Sequence, residues 1–214
     1  MPTLRWVPTR RKRWHDRGQS VTVVCCLGDS ITAGTPLWDP DPAVVAGEIG
    51  DRMDERSSWP YWAARANPGI ACTNHGVNRE QTAAIAARLD AAAAGADALI
   101  VQGGVNDLVH GQGLGTAVPN LLAMVQRGKS LGLRVAIVEL VPNDNFPELE
   151  VPIRELNERI AEIGRDEQVD VLPFYRTLED PERPGRFGPQ WTDDGNHPSV
   201  EGHRRLGELA FRLP

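Results

Sequence analysis

Five apolar residues, Val23-Val24-Cys25-Cys26-Leu27, run directly into Gly28-Asp29-Ser30. An apolar run of this length, bounded by a turn signal, reads as a buried β-strand. Gly28 and Asp29 break the strand and present Ser30 at its carboxyl end, the edge of an open α/β sheet where ligands bind. A hydroxyl placed there is a nucleophile if a histidine reaches it. Taken alone, Ser30 fits better as the cap of the following helix, the common fate of a serine after a strand. The rest of the chain decides between these readings by supplying the other parts of a site or failing to.

Four more apolar runs follow, at 70–73, 98–101, 135–140 and 169–172. Helical patterns lie between them. One opens at Ser57-Ser58-Trp59-Pro60, a serine cap with proline in the first turn, and runs to about residue 67. An alanine-rich helix is expected over about 81–94 and another over about 118–130. Leu149, Ile153, Leu156, Ile160 and Ile163 recur at spacings of four and three, one apolar face of a helix. Pro198 opens the last helix, with Val200, Leu206, Leu209 and Leu213 expected on its inner side. Residues 36–58 read as an acidic loop or insertion, either a binding loop beside the site or a solvated surface, and 176–196 read as a loop. Strands that alternate with helices, and that are apolar throughout, argue for a parallel sheet covered on both faces.

The totals bound the class. The chain has 214 residues, 41% hydrophobic and 24% charged, which suits one globular domain over 21–214 preceded by a basic arm over 1–20. A net charge of −6 argues against nucleic acid or an anionic membrane as partner. No signal peptide or membrane span is read, so the expected location is cytoplasmic. Cys25, Cys26 and Cys72 all fall in expected strands and read as small core side chains; as neighbours, Cys25 and Cys26 point to opposite faces. The five histidines show no ligand spacing, so no metal is expected.

Every strand end carries something specific, and in a parallel sheet these ends share one edge. The first gives Ser30, the second Gly76, the third Gly104 and Asn106, and the final loop gives Asp194-Gly195-Asn196-His197. Acyl transfer needs a nucleophile, a base, a group that orients the base, and donors for the oxyanion. Ser30 can attack and His197 can take its proton. Asp194, three residues before His197, can reach the far imidazole nitrogen across one turn; Asp193 is the alternative. The backbone N–H groups of Ser30 and Gly76 and the side-chain amide of Asn106 can receive the oxyanion. Each piece has an ordinary reading as a turn or a cap. Together, on one edge, they are hard to explain as turns.

The pattern resembles the SGNH hydrolases, also called the GDSL lipase/esterase family, from about residue 21 to the C-terminus. Gly28-Asp29-Ser30 looks like the family's first block, Asn74-His75-Gly76 like the second, Gly104-Val105-Asn106-Asp107 like the third and Asp194-Gly195-Asn196-His197-Pro198 like the last. The resemblance implies a flavodoxin-like three-layer α/β/α sandwich on a five-stranded parallel sheet, serine esterase chemistry through an acyl-enzyme, and no cofactor. By motif match it puts catalysis on Ser30, Asp194 and His197 and the oxyanion hole on Ser30, Gly76 and Asn106. The second block departs from the family: Arg79-Glu80-Gln81-Thr82 lacks its second glycine and is one residue longer. The chain also lacks Gly-x-Ser-x-Gly, which sets it apart from the α/β-hydrolase nucleophile elbow.

The expected activity is hydrolysis of small acyl esters. Thioesterase, lysophospholipase and acyltransferase chemistry use the same site. From a different class, Ser30-Ile31-Thr32-Ala33-Gly34-Thr35 loosely matches the phosphate loop of an FMN-binding, flavodoxin-like electron carrier. That alternative leaves the third and last blocks unexplained. Trp38, Trp59 and Trp191 are candidates for an apolar or sugar-stacking pocket, with ordinary packing the simpler reading of each.

Overall fold

The computed structural model describes residues 21–214; the basic arm lies outside the described residues. In chain order the first elements are β1 (Thr22–Gly28), α1 (Ser30–Ala33), the short helical turn α2 (Pro42–Val44), α3 (Trp59–Ala66) and β2 (Ile70–Gly76). The α4 (Thr82–Ala87) and α5 (Leu89–Ala92) segments precede β3 (Ala98–Val101), α6 (Val105–Val109), α7 (Leu114–Ser130) and β4 (Arg134–Val138). Then come α8 (Glu150–Glu167), β5 (Asp170–Leu172), α9 (Phe174–Leu178), the strands β6 (Glu179–Asp180) and β7 (Arg183–Phe187), and α10 (Val200–Arg205).

The main sheet has five strands in the order β2-β1-β3-β4-β5, every pair parallel. The chain steps from β1 to β2 on one side and returns to β3 on the other. The crevice between the carboxyl ends of β1 and β3 is therefore the topological switch point of a flavodoxin-like sheet. The register brings these ends level, with Gly28 beside Gly76 and Leu27 beside Val101.

Strand alternation sends the sheet's side chains into two cores. Cys25, Leu27, Leu99, Val101 and Ile137 pack against Ile85, Leu121, Leu156 and Ile160 of α4, α7 and α8. Val24, Cys26, Ile100, Ala136 and Val138 pack against Trp59, Phe174 and Leu206. These are the two faces of a three-layer sandwich, and Cys25 and Cys26 stand on opposite ones. Trp59 is wholly buried, edge-on to Phe174 at 5.4 Å between ring centres.

Several boundaries depart from expectation. The helix expected over 81–94 divides at Arg88 (φ −105°, ψ 3°), whose guanidinium turns inward to the carbonyls of His75 and Gly28. The α7 helix begins at Leu114 rather than 118, so Pro119 lies inside it and omits one bond of the helix ladder. The loop expected over 176–196 contains the end of α9 and the antiparallel β6–β7 hairpin. The last helix passes into a π-helical turn at Leu206–Ala210, which shifts the apolar periodicity. Leu206, Ala210 and Phe211 are buried there, while Leu209 and Leu213 are exposed. Residues 36–58 form a string of short helical turns.

Candidate active site

Ser30 opens α1 directly after β1. Asp29 caps this helix, its Oδ1 accepting from the Ile31 N–H at 2.9 Å. Gln102, at the end of β3, receives both the Asp29 N–H (3.1 Å) and the Thr32 hydroxyl (2.9 Å) on its Oε1. The turn that presents Ser30 is thus anchored across the switch point. Asp29 is wholly buried, and that burial pushes its carboxyl up to about 6.

His197 comes from the other end of the chain. Its Nε2 lies 3.2 Å from Ser30 Oγ and its Nδ1 lies 2.8 Å from Asp194 Oδ2. Asp194 Oδ1 also accepts the backbone N–H groups of His197 (2.7 Å) and Asn196 (2.8 Å). Burial works against the Asp194 charge, but the bonds from the His197 ring and these two N–H groups hold its carboxyl well below the usual carboxylate range. An ionised Asp194 accepts a hydrogen bond from Nδ1–H, which keeps that proton on Nδ1 and leaves Nε2 as acceptor toward the Ser30 hydroxyl. A hydroxyl, imidazole and carboxylate in this order can activate the hydroxyl for attack. Asp193, the alternative orienter, is exposed and is not the carboxylate that meets His197.

The loop carrying His197 is clamped by the segment after β4. Asn143 Nδ2 donates to Asn196 Oδ1, Asn145 Nδ2 to the Asp194 carbonyl, and the Asp144 N–H to the Gly195 carbonyl, each at 2.7 Å. Thr192 closes the turn from inside, donating to the His197 carbonyl at 2.7 Å. Sequence reasoning missed this clamp and Gln102; the signal for the clamp is the polar triplet Asn143-Asp144-Asn145 in the loop that follows β4.

Asn106 lies in the same cleft, at the start of α6 beyond Gly104, whose φ of 121° is ordinary only for glycine. One N–H of its side-chain amide is held by the Glu80 carbonyl at 2.9 Å, leaving the other for a ligand. The Ser30 N–H, at the first position of α1, has no partner among the described residues.

Gly76 is not brought into this cleft. Its N–H is taken by Asn74 Oδ1 at 2.9 Å, and it lines a neighbouring cavity instead. It is a glycine for packing: a Cβ there would overlap the Ala33 N and the Thr32 carbonyl carbon of α1. The second block reaches the cleft through Asn78 and Arg79. Arg79 has φ 65° and an N–H without a partner among the described residues.

The cleft encloses about 460 Å³. Its apolar lining includes Val105, Val109, Val141, Pro142 and Phe146; its polar lining includes four asparagines, Arg79 and His110 beside Ser30 and His197. The phosphate-loop alternative for residues 30–35 is not favoured, because Ser30 Oγ meets His197 and Thr32 Oγ1 is buried on Gln102. None of the three tryptophans lines the cleft: Trp59 is core, Trp191 packs under Arg205, and Trp38 borders another cavity with Tyr61. Residues 36–58 likewise border neighbouring cavities. Among the described residues no group of His, Cys, Asp and Glu is arranged to hold a metal, and no helix is long and apolar enough to cross a membrane.

A parallel α/β sandwich with a hydroxyl, an imidazole and a carboxylate in line at its switch point defines a class of hydrolase folds. The model of the GDSL-like lipase/acylhydrolase family matches residues 26–205, and the chain belongs to that family. Comparison with curated proteins found no match. Solved structures give the same fold. A protein assigned to the lipolytic G-D-S-L family from Desulfitobacterium hafniense is 24% identical over 87% of this chain and 96% of its own, with a TM-score of 0.72. A mutant acetyl-xylooligosaccharide esterase from Geobacillus Stearmophilus is 18% identical, covering 91% and 96%, with a TM-score of 0.69. A lipase/acylhydrolase from Enterococcus faecalis is 22% identical, covering 88% and 93%, with a TM-score of 0.66.

Proposed function

We propose that this chain hydrolyses small acyl esters, acetyl or short-chain, through an acyl-enzyme on Ser30. The observation that carries the reading is the line from Ser30 Oγ through His197 to Asp194, at 3.2 and 2.8 Å. Ser30 Oγ attacks the ester carbon as its proton passes to His197 Nε2, and Asp194 stabilises the imidazolium so formed. The carbonyl oxygen becomes an alkoxide that the N–H groups of Ser30 and Arg79 and the second N–H of Asn106 receive; each such donor is typically worth ~10²–10³ in rate. The tetrahedral centre collapses, the bond to the leaving oxygen breaks, and that oxygen takes the proton from His197. Water then repeats the sequence on the acyl-enzyme, His197 accepting its proton, and releases the acid and free Ser30.

This assignment moves one oxyanion donor from Gly76 to Arg79, because the Gly76 N–H is already bonded to Asn74. The apolar lining suits an acyl chain or an apolar leaving group, and the modest volume favours short ones. The Geobacillus esterase of acetylated xylooligosaccharides is an example of a small-acyl substrate taken by this fold.

Hydrolysis of para-nitrophenyl esters from acetate to decanoate tests the reading. The wild type is expected to prefer the short chains, and Ser30→Ala is expected to lose ~10⁴-fold or more of kcat. Equal activity in the two proteins would remove Ser30 as the nucleophile. Equal inactivity would overturn general ester hydrolysis and leave a thioester or a strict acyl acceptor as the substrate.

A further inference from the structure

The Ser30 cleft contains no acidic side chain in its lining, although the chain carries a net charge of −6. Of the carboxylates behind the lining, Asp194 is held by His197, and Asp29 is wholly buried under the Ser30 turn, where its Oδ1 accepts the Ile31 N–H. Arg79, His110 and His197 are the ionisable side chains of the lining, set among four asparagines.

Arg79 differs from Arg88, which lines the neighbouring cavity with it. Arg88 is fixed internally: its Nε meets Glu80 Oε2 at 2.7 Å, and its two terminal nitrogens donate to the carbonyls of His75 (2.6 Å) and Gly28 (2.8 Å). Glu80, the acid adjacent to Arg79, is therefore already engaged. The Arg79 side chain is exposed and has neither a hydrogen bond nor an ion pair among the described residues. Asn78 beside it has no side-chain partner among them either. Asn78 and Arg79 also line a neighbouring cavity, together with Asp39, Asp41 and Glu48. Asp39 and Asp41 accept the N–H groups of Asp41 and Ala43, and none of the three acids pairs with Arg79. The loop also holds Arg79 at φ 65°, a left-handed conformation that costs a non-glycine residue about 1 kcal/mol or more. That conformation bears on the backbone N–H; it is the guanidinium, at the cleft wall and without a partner among the described residues, that points to a use for the side chain.

We infer that Arg79 is a specificity determinant for esters that carry an anionic group, a carboxylate or a phosphate, which its guanidinium meets while the ester carbon lies at Ser30. The planar fork of a guanidinium suits either anion, bidentately, and Asn78 offers a further donor from the same side. A neutral ester of the same size would leave Arg79 in water and gain nothing from it. This inference rests on the ester-hydrolase reading.

The test is kinetics on matched esters: phenyl acetate as the neutral case, para-acetoxybenzoate and para-acetoxyphenyl phosphate as the anions, with mono-para-nitrophenyl succinate against para-nitrophenyl butyrate to place the charge on the acyl side. The quantity read is the ratio of kcat/KM for the anionic ester to that for its neutral partner. Differences in intrinsic reactivity, and any disturbance of the Arg79 backbone, cancel when this ratio is compared between proteins. In Arg79→Gln the ratio is expected to fall about tenfold or more for at least one anion, the size expected on losing a charge-assisted hydrogen bond. Arg79→Lys should retain part of it, and added salt should lower the ratio in the wild type more than in Arg79→Gln. The anion whose ratio falls most identifies the group. Ratios unchanged within about twofold for every pair would overturn the inference, since an ionic contact of consequence exceeds that, while Ser30-dependent hydrolysis of phenyl acetate would leave the underlying reading intact. A wild type no faster than Ser30→Ala on every ester would overturn both.

Discussion

Asp107 grips Thr82 with both carboxylate oxygens: Oδ1 accepts the threonine hydroxyl at 2.7 Å and Oδ2 accepts its backbone N–H at 3.0 Å. Both residues are wholly buried. The contact joins the third block to the end of the second, and Asn106 adds its bond to the Glu80 carbonyl two residues earlier. The segment that carries Asn78 and Arg79 is therefore fastened to the helix that carries Asn106.

Loosening this fastening should cost both stability and rate. Thr82→Val keeps the shape but leaves a buried carboxylate oxygen without its donor, an expected loss of ~1–3 kcal/mol in urea denaturation. It should also lower kcat on short para-nitrophenyl esters by about tenfold to a hundredfold, as a misplaced oxyanion donor would. A stability loss with unchanged kcat would show that the grip is structural alone.

Asp194 and Asp193 provide a sharper comparison. Asp194→Asn replaces the acceptor of the His197 Nδ1 proton and permits the wrong tautomer, so kcat should fall by ~10³–10⁴ with little change in KM. Asp193 is exposed and is not the partner of His197, so Asp193→Asn should stay within about twofold, as surface substitutions usually do. A large effect at Asp193 would show that the orienting role is misassigned.

The parts that could be read beforehand are those fixed by local rules. The central strands β1, β3 and β4 are buried on both faces and so appear as continuous apolar runs; β3 falls on the four residues expected. Ser30 and Asn106 stand where short polar motifs follow strands and Asp194 and His197 in the motif of the final loop; Ser30, Asn106 and His197 line one cleft, with Asp194 behind His197. The second block was not legible because its function is divided. Gly76 retains the packing role of a glycine, while the loop's approach to the cleft falls on Arg79, a residue type that gives no sign of a positive φ. The inner face of the last helix was misread because a π-helical turn breaks the periodicity that would reveal it. The β6–β7 hairpin was hidden by strands of two and five residues, rich in charge, glycine and proline.

Gly76 itself can be tested. Its Cβ position is occupied by the backbone of α1, which cannot yield as a side chain end could. Gly76→Ala should therefore displace the helix that begins at Ser30 and destabilise the protein by about 1–3 kcal/mol or more. The loss should appear as a lowered Tm and as a fall in kcat together. A stable Gly76→Ala protein with only kcat reduced would instead favour a direct role for Gly76 at the oxyanion.

His203 provides the last test. It is wholly buried, neither ring nitrogen has a hydrogen-bond partner in the fold among the described residues, and burial, followed by the charge of His197, pushes its pKa down to about 3. The unfolded chain binds a proton there below about pH 6.5 while the folded chain does not until about pH 3, so stability falls as pH drops across that window. Asp29 contributes the opposite sign: its raised pKa favours the fold at lower pH and withdraws that support as pH rises toward about 6. Because Asp29 is the same in both proteins, comparing the wild type with His203→Leu isolates the histidine. Between pH 6.5 and 4.5 the wild type should lose roughly 2–3 kcal/mol more than the variant in urea denaturation. Parallel pH profiles for the two proteins would mean that His203 is protonated, or reached by water, in the folded state.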